Sequence, residues 1–183
     1  MILRCTARLL TLLGTQAATL NDAPPDDDDW YANLLWIDRR KCLLLMHAGS
    51  LFPVFILDVR KSDLRPLGPV LVGSIEAALA DERLPLDSLG TLDPDALAIT
   101  RTASRQVLGY INDTAHLCRY DVEASGGIAG TDVRALNRRL RRTLHDRDGH
   151  RTALDLVEQR RRDRLARSGM AARLLEDRGR EPR

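Results

Sequence analysis

Aromatic side chains are scarce here: two tryptophans, three tyrosines and two phenylalanines, with none beyond Tyr120. A C-terminal third without an aromatic ring has nothing to stack on an unpaired base, so any nucleic-acid contact there would be to phosphates. Lysine is scarcer still, limited to Lys41 and Lys61, which makes the 26 remaining basic residues arginines. The three cysteines, Cys5, Cys42 and Cys118, are an odd number without framework spacing. Free thiols in a reducing cytosol are expected, not a disulfide scaffold. No apolar run approaches the roughly 20 residues of a membrane span, and Arg4 and Arg8 interrupt the N-terminal apolar stretch. A cytoplasmic protein without a membrane anchor is expected.

The chemical signatures of the common enzymes are missing as well. There is no Gly-x-Ser-x-Gly, no Walker Gly-Lys-Ser/Thr loop and no Gly-x-Gly-x-x-Gly. No Cys-x-x-Cys pair exists. Cys42 and His47 alternate to opposite faces of a strand, and His116 and Cys118 stand about 200° apart on a helix, so no zinc site is expected. Asp26 to Asp29 is a run of four carboxylates after Pro24-Pro25, without EF-hand spacing. It reads as a solvated loop more readily than as a site for a hard cation. No cofactor and no metal are implied.

What is present is apolar content of 44% and charge of 30% in 183 residues, ordinary values for one domain with a core. The charge is polarised. Residues 1–133 carry 12 Lys/Arg against 18 Asp/Glu, a net −6; residues 134–183 carry 16 against 8, a net +8. We therefore divide the chain into an α+β domain over residues 1–157 and a charged, Arg-rich helical or disordered tail over 158–183, weakly ordered beyond about residue 166.

Two dense apolar runs, about 31–37 and 42–47, are separated by Asp38-Arg39-Arg40-Lys41. They predict a β-hairpin buried on both faces, with Trp36, Leu34 and Leu44 in the sheet core. A short strand is expected at residues 2–6 and a helix at 7–13 that Gly14 ends. Further strands are expected at 51–59 and 96–100. Helices are expected at 70–82, 104–124 and 132–144, and one more from Thr152. Strands gathered early and helices late give α+β: a small antiparallel sheet packed by helices, with a helical C-terminal third.

The helix at 104–124 has two faces. Val107, Ile111, Ala115, Cys118 and Val122 share an apolar arc. Arg105, Gly109, Asn112, His116, Arg119 and Glu123 share the other, with Asp113 beside them. That polar face is a solvated surface by default. It also holds the residue types that line a polar pocket or move a proton. Gly109, which costs roughly 1 kcal/mol against alanine in a helix, hints at close approach by another element. Arg134, Arg138, Arg139, Arg141 and Arg142 surround the leucine stripe of the next helix and are candidates for sequence-nonspecific phosphate contact.

Three segments carry a family resemblance: Met1 to Leu10, Trp30 to Phe52, and Thr102 to Asp113 with its Val107-Leu108-Gly109-Tyr110-Ile111-Asn112-Asp113 string. Together they resemble a widespread family of small bacterial proteins with a domain of unknown function. The resemblance implies one α+β domain and a variable C-terminal tail, and brings no activity, substrate or cofactor with it. It singles out Asn33, Asp38, Arg39, Arg40, Lys41, Arg105, Asn112 and Asp113 as candidate polar residues, with His116 beside them. The hairpin turn and Asn112-Asp113 are expected to face one another across a cleft. Three functions follow: a non-catalytic interaction or regulatory module whose unidentified partner includes proteins among its candidates; a nucleic-acid-associated protein using the basic helices; and an enzyme with a pocket around Arg105, Asn112, Asp113 and His116.

Overall fold

The computed structural model describes residues 1–16, 20, 23–146 and 149–178, with side chains through Ser168. The fold is α+β. Five strands form one sheet: β1 (Ile2–Cys5), β2 (Trp30–Ile37), β3 (Arg40–His47), β4 (Pro53–Ile56) and β5 (Ala98–Arg101), in the order β4-β3-β2-β1-β5. β2, β3 and β4 are antiparallel neighbours, whereas β1 runs parallel to both β2 and β5. The sheet is therefore mixed and not antiparallel throughout. The short N-terminal strand inserts inside the sheet, and parallel neighbours need crossovers, which the following helices supply.

The helices are α1 (Ala7–Leu13), α2 (Leu67–Asp81), α3 (Arg105–Ala124), α4 (Val133–Arg141) and α5 (Ala153–Arg178). The alternation of β2 explains where they pack. Trp30, Ala32 and Leu34 face one core, shared with Leu43, Leu45 and Val54, which α1 and α2 cover through Leu9, Leu71, Ile75 and Leu79. Tyr31, Leu35 and Ile37 face the other, shared with Cys42, Leu44 and Phe55, which α3 and α4 cover through Val107, Ile111, Val122, Leu136 and Leu140. The hairpin is buried on both sides, as its pattern predicts. Each fully buried aliphatic side chain there contributes about 1.5–3 kcal/mol.

Trp36 departs from expectation. It is 51% exposed, because the hairpin end outruns the helices, and Lys41 Nζ lies 4.8 Å over its ring. Trp30 is the buried tryptophan. The turn between β2 and β3 holds Asp38 and Arg39 at φ 47° and 61°. These left-handed values match the twist of a two-residue hairpin, though neither residue is glycine.

α3 is fixed at its start by Ser104. The Ser104 hydroxyl accepts from Val107 N at 3.3 Å, and Ser104 N donates to Tyr31 Oη at 3.1 Å. This cap and strand contact set the helix phase against β2. A Cβ on Gly109 would meet nothing within 4 Å, so the predicted close approach there is absent. The strand expected at 51–59 is confined to Pro53–Ile56, since Leu51 turns at φ 54° and Asp58 at φ 51°. α2 starts at Leu67, earlier than expected, because Pro66 and Pro69 sit where the first-turn N–H groups lack partners anyway.

β4 is an edge strand whose edge is closed. Asn137 of α4 accepts from Phe55 N at 2.7 Å and donates through Nδ2 to Phe55 O at 2.8 Å, as a neighbouring strand would. Residues 144–145 and 151–152 form a separate two-stranded ladder. Thr152 then opens α5: Thr152 N and Oγ1 donate to Asp155 Oδ2 at 2.9 and 2.7 Å, and Asp155 N returns to Thr152 Oγ1 at 3.2 Å. The α5 backbone continues through Arg178. The expectation of weak order beyond residue 166 falls partly on residues 179–183, which lie outside those described.

Candidate functional site

Along β2, positions 31, 33, 35 and 37 point toward α3, and all are apolar or aromatic but Asn33. Its carbonyl oxygen accepts the Thr6 hydroxyl at 3.2 Å. Thr6 stands where β1 passes into α1, and its backbone N donates to Ala32 O at 3.0 Å. Opposite, α3 presents Asn112 and His116 one turn apart. These side chains, with Arg8 and Arg119, surround a cleft of about 430 Å³ lined also by Leu35 and Ala115. No Asp or Glu lines it.

Three of the nine polar candidates thus come together: Asn33, Asn112 and His116. The others are elsewhere. The hairpin turn does not face Asn112-Asp113. Asp38 Oδ2 accepts from Ile128 N at 2.8 Å, and the turn borders a second cleft of about 650 Å³ with Trp36, Glu123 and Gly127. Gly127, at φ 95°, leaves room for Asp38, whose Oδ2 would sit 2.7 Å from a Cβ there. Arg40 is paired with Asp58 at 2.5 Å, Lys41 covers Trp36, and Arg39 occupies the turn itself. Arg105 opens α3 and does not line the first cleft. Asp113 turns toward His145, whose pKa burial pushes down and the Asp113 charge pulls back up. Arg119 borders both clefts.

The arginines of α4 have internal partners. Arg134 and Arg138 pair with Asp81 at 2.6 and 2.5 Å, Arg141 and Arg142 with Glu82 at 3.0 and 2.7 Å, and Arg139 with Asp121 at 2.8 Å. Hydrogen bonds from Arg138 and Arg134 hold the Asp81 carboxyl down to about 2. Burial pushes the Glu82 carboxyl up, but bonds from Arg142 and Arg141 outweigh it and hold it below its ordinary value. The aspartate run is likewise engaged: Asp27 and Asp28 receive Arg160 at 3.2 and 2.6 Å, and Asp29 is buried against Arg4. Among the described residues no group of three or more His, Cys, Asp or Glu side chains could hold a metal ion. Burial pushes the Cys5 and Cys118 thiols up to about 12, which removes them as nucleophiles.

Sequence reasoning missed Thr6 and Arg8. The available signal was their position directly after β1, where a strand end and helix start meet the sheet's central positions. Arg119 was legible on the polar face of α3, at three- and seven-residue spacing from His116 and Asn112.

A family model described as a domain of unknown function, DUF6933, matches residues 2–154. The chain belongs to the DUF6933 family. No curated protein and no solved structure matches it. In this DUF6933 chain the three segments that carry the resemblance each supply the first cleft: Thr6 and Arg8, then Asn33 and Leu35, then Asn112. Among the described residues no helix is long and apolar enough to cross a membrane.

Proposed function

We propose that this DUF6933 protein is a non-catalytic, cytoplasmic binding module with regulatory output. Its recognition site is the cleft between the β1–α1 junction, β2 and α3, and its folded domain is residues 1–157, with 158–183 as a basic extension. One observation carries the reading: polar residues from three distant segments converge on one cleft with an apolar floor. Sites of this make-up orient a ligand with a few polar groups and hold it by its apolar part. His116 is exposed and bonds to no carboxylate or hydroxyl among the described residues, which suits recognition better than a positioned proton relay. The internal pairing of the α4 arginines weighs against the nucleic-acid alternative.

The test is a thermal-shift screen of the full chain against small polar metabolites. A ligand at about 100 times its Kd adds about 2.7 kcal/mol. For a chain of this size that raises Tm by about 5–10 °C. The rise is expected to vanish in Asn33→Ala and Asn112→Ala, with circular dichroism confirming their fold. Ligands that stabilise both variants as well as the parent would overturn the assignment of this cleft.

A further inference from the structure

Resting on that reading of the cleft, we propose that its ligand is a doubly charged oxyanion, a phosphoryl group carried on a small molecule. The charge of the lining points this way. Arg8 and Arg119 bring two guanidinium groups, His116 adds a ring nitrogen donor, and no carboxylate shares the lining. Neither arginine has an ion-pair partner among the described residues, in contrast to the four arginines of α4 and Arg142 that follows it. Both guanidinium groups lie within residues 1–133, whose net charge is −6, so the cleft gathers basic side chains from an acidic stretch of the sequence. A phosphomonoester carries about −1.5 to −2 at pH 7, which two guanidinium groups balance and a monocarboxylate does not.

The amides add direction. Asn33 Oδ1 is occupied by the Thr6 hydroxyl, which leaves the Asn33 amide hydrogens as the group it can offer a ligand. Asn112 makes no side-chain hydrogen bond among the described residues and can donate in the same way. Amide and guanidinium donors sharing one lining are the groups a phosphoryl oxygen set calls for. Leu35 and Ala115 form an apolar floor that a short carbon body would cover. A volume of about 430 Å³ suits a small metabolite.

The experiment is a ¹H–¹⁵N NMR titration of the full chain at fixed ionic strength. The probes are inorganic phosphate, glycerol 3-phosphate, succinate and glycerol. Saturable shifts are expected with the first two, confined to amides around Thr6, Asn33 and Asn112 to Arg119. Arg119→Gln and Arg8→Gln should each weaken glycerol 3-phosphate binding at least tenfold, and Asn112→Ala several-fold. Both arginines are solvent-accessible, so the variants should keep the parent spectrum elsewhere. Succinate or glycerol saturating the cleft as tightly as glycerol 3-phosphate would overturn the phosphoryl assignment while leaving the cleft a recognition site. Phosphate shifts that are unsaturable, spread over α4 and α5, or unchanged in Arg119→Gln would overturn it as well.

Discussion

Removing the carboxylate of Asp29 isolates a buried charge. Arg4 and Asp29 have side chains only 2% and 3% exposed, and Arg4 Nε donates to Asp29 Oδ2 at 2.5 Å. Three of the four remaining guanidinium hydrogens go to carbonyls: Ala23 O at 3.0 Å, Pro24 O at 2.7 Å and Arg101 O at 3.3 Å. Asp29 Oδ2 also accepts from Asp26 N at 2.9 Å. In Asp29→Ala the guanidinium stays out of water and faces only neutral oxygens. Breaking one side of such a pair costs about 3–5 kcal/mol. Domains are stable by about 5–15 kcal/mol, so a large share of the total is lost. At about 2–4 °C per kcal/mol the melting point should fall by roughly 6–20 °C. Urea unfolding at constant m-value and calorimetry both measure it. Replacing both partners, Arg4→Met with Asp29→Leu, should recover most of the loss, since a paired charge exchanged for apolar bulk is often neutral. An Asp29→Ala variant within about 1 kcal/mol of the parent would refute the reasoning. So would a double variant as unstable as the two single losses combined.

Asn137→Leu strips both groups of Phe55 of their partner; each buried orphan costs about 1–3 kcal/mol, and light scattering should show association through the reopened edge of β4. His145 is buried with its folded pKa below the ordinary value, so the unfolded chain binds its proton first. Stability is complete above about pH 6.5 and falls as pH drops from there toward the folded pKa, and His145→Phe should flatten that limb in pH-dependent urea melts. Asp81 is held at about 2 against an ordinary 3.8; its contribution is full above about pH 4 and is lost as pH falls through about 2, so Asp81→Asn should show a shallower acid-unfolding profile. Gly68→Ala should destabilise by about 1–3 kcal/mol in chemical denaturation, because the new Cβ would lie 2.0 Å from Pro94 O and the backbone there must shift to admit it.

The elements with their own signals were legible. α3 has a serine cap, an apolar arc and a glycine stop, and its bounds follow from those residues. The hairpin was legible from its two-sided apolar pattern. Sheet order was not, because β1 is four residues long and its parallel neighbours lie 25 or more residues away. Nothing local in Ile2–Cys5 marks it as an inner strand. Trp36 misled because alternation gives a side chain's face and not how far the covering helices reach. The partners of the α4 arginines were not legible for a related reason: a helical wheel shows their common surface but not the carboxylates that end α2 and meet them. The cleft was half legible, through Asn112, His116 and Arg119 on one helix face, while Arg8 and Thr6 joined only once β1 took its place.

The family's matched span ends at residue 154, yet the packing does not. Leu156 and Val157 are buried, one in each core, so the first turns of α5 rivet the two faces of the sheet together from the side. Arg160 and Arg164 then tie α5 to Asp27, Asp28 and the Asp87 carbonyl. A fusion or dissection cut at the family boundary would thus leave an open seam between the two cores. A unit cut for grafting or exchange among relatives should therefore keep at least Leu156 and Val157.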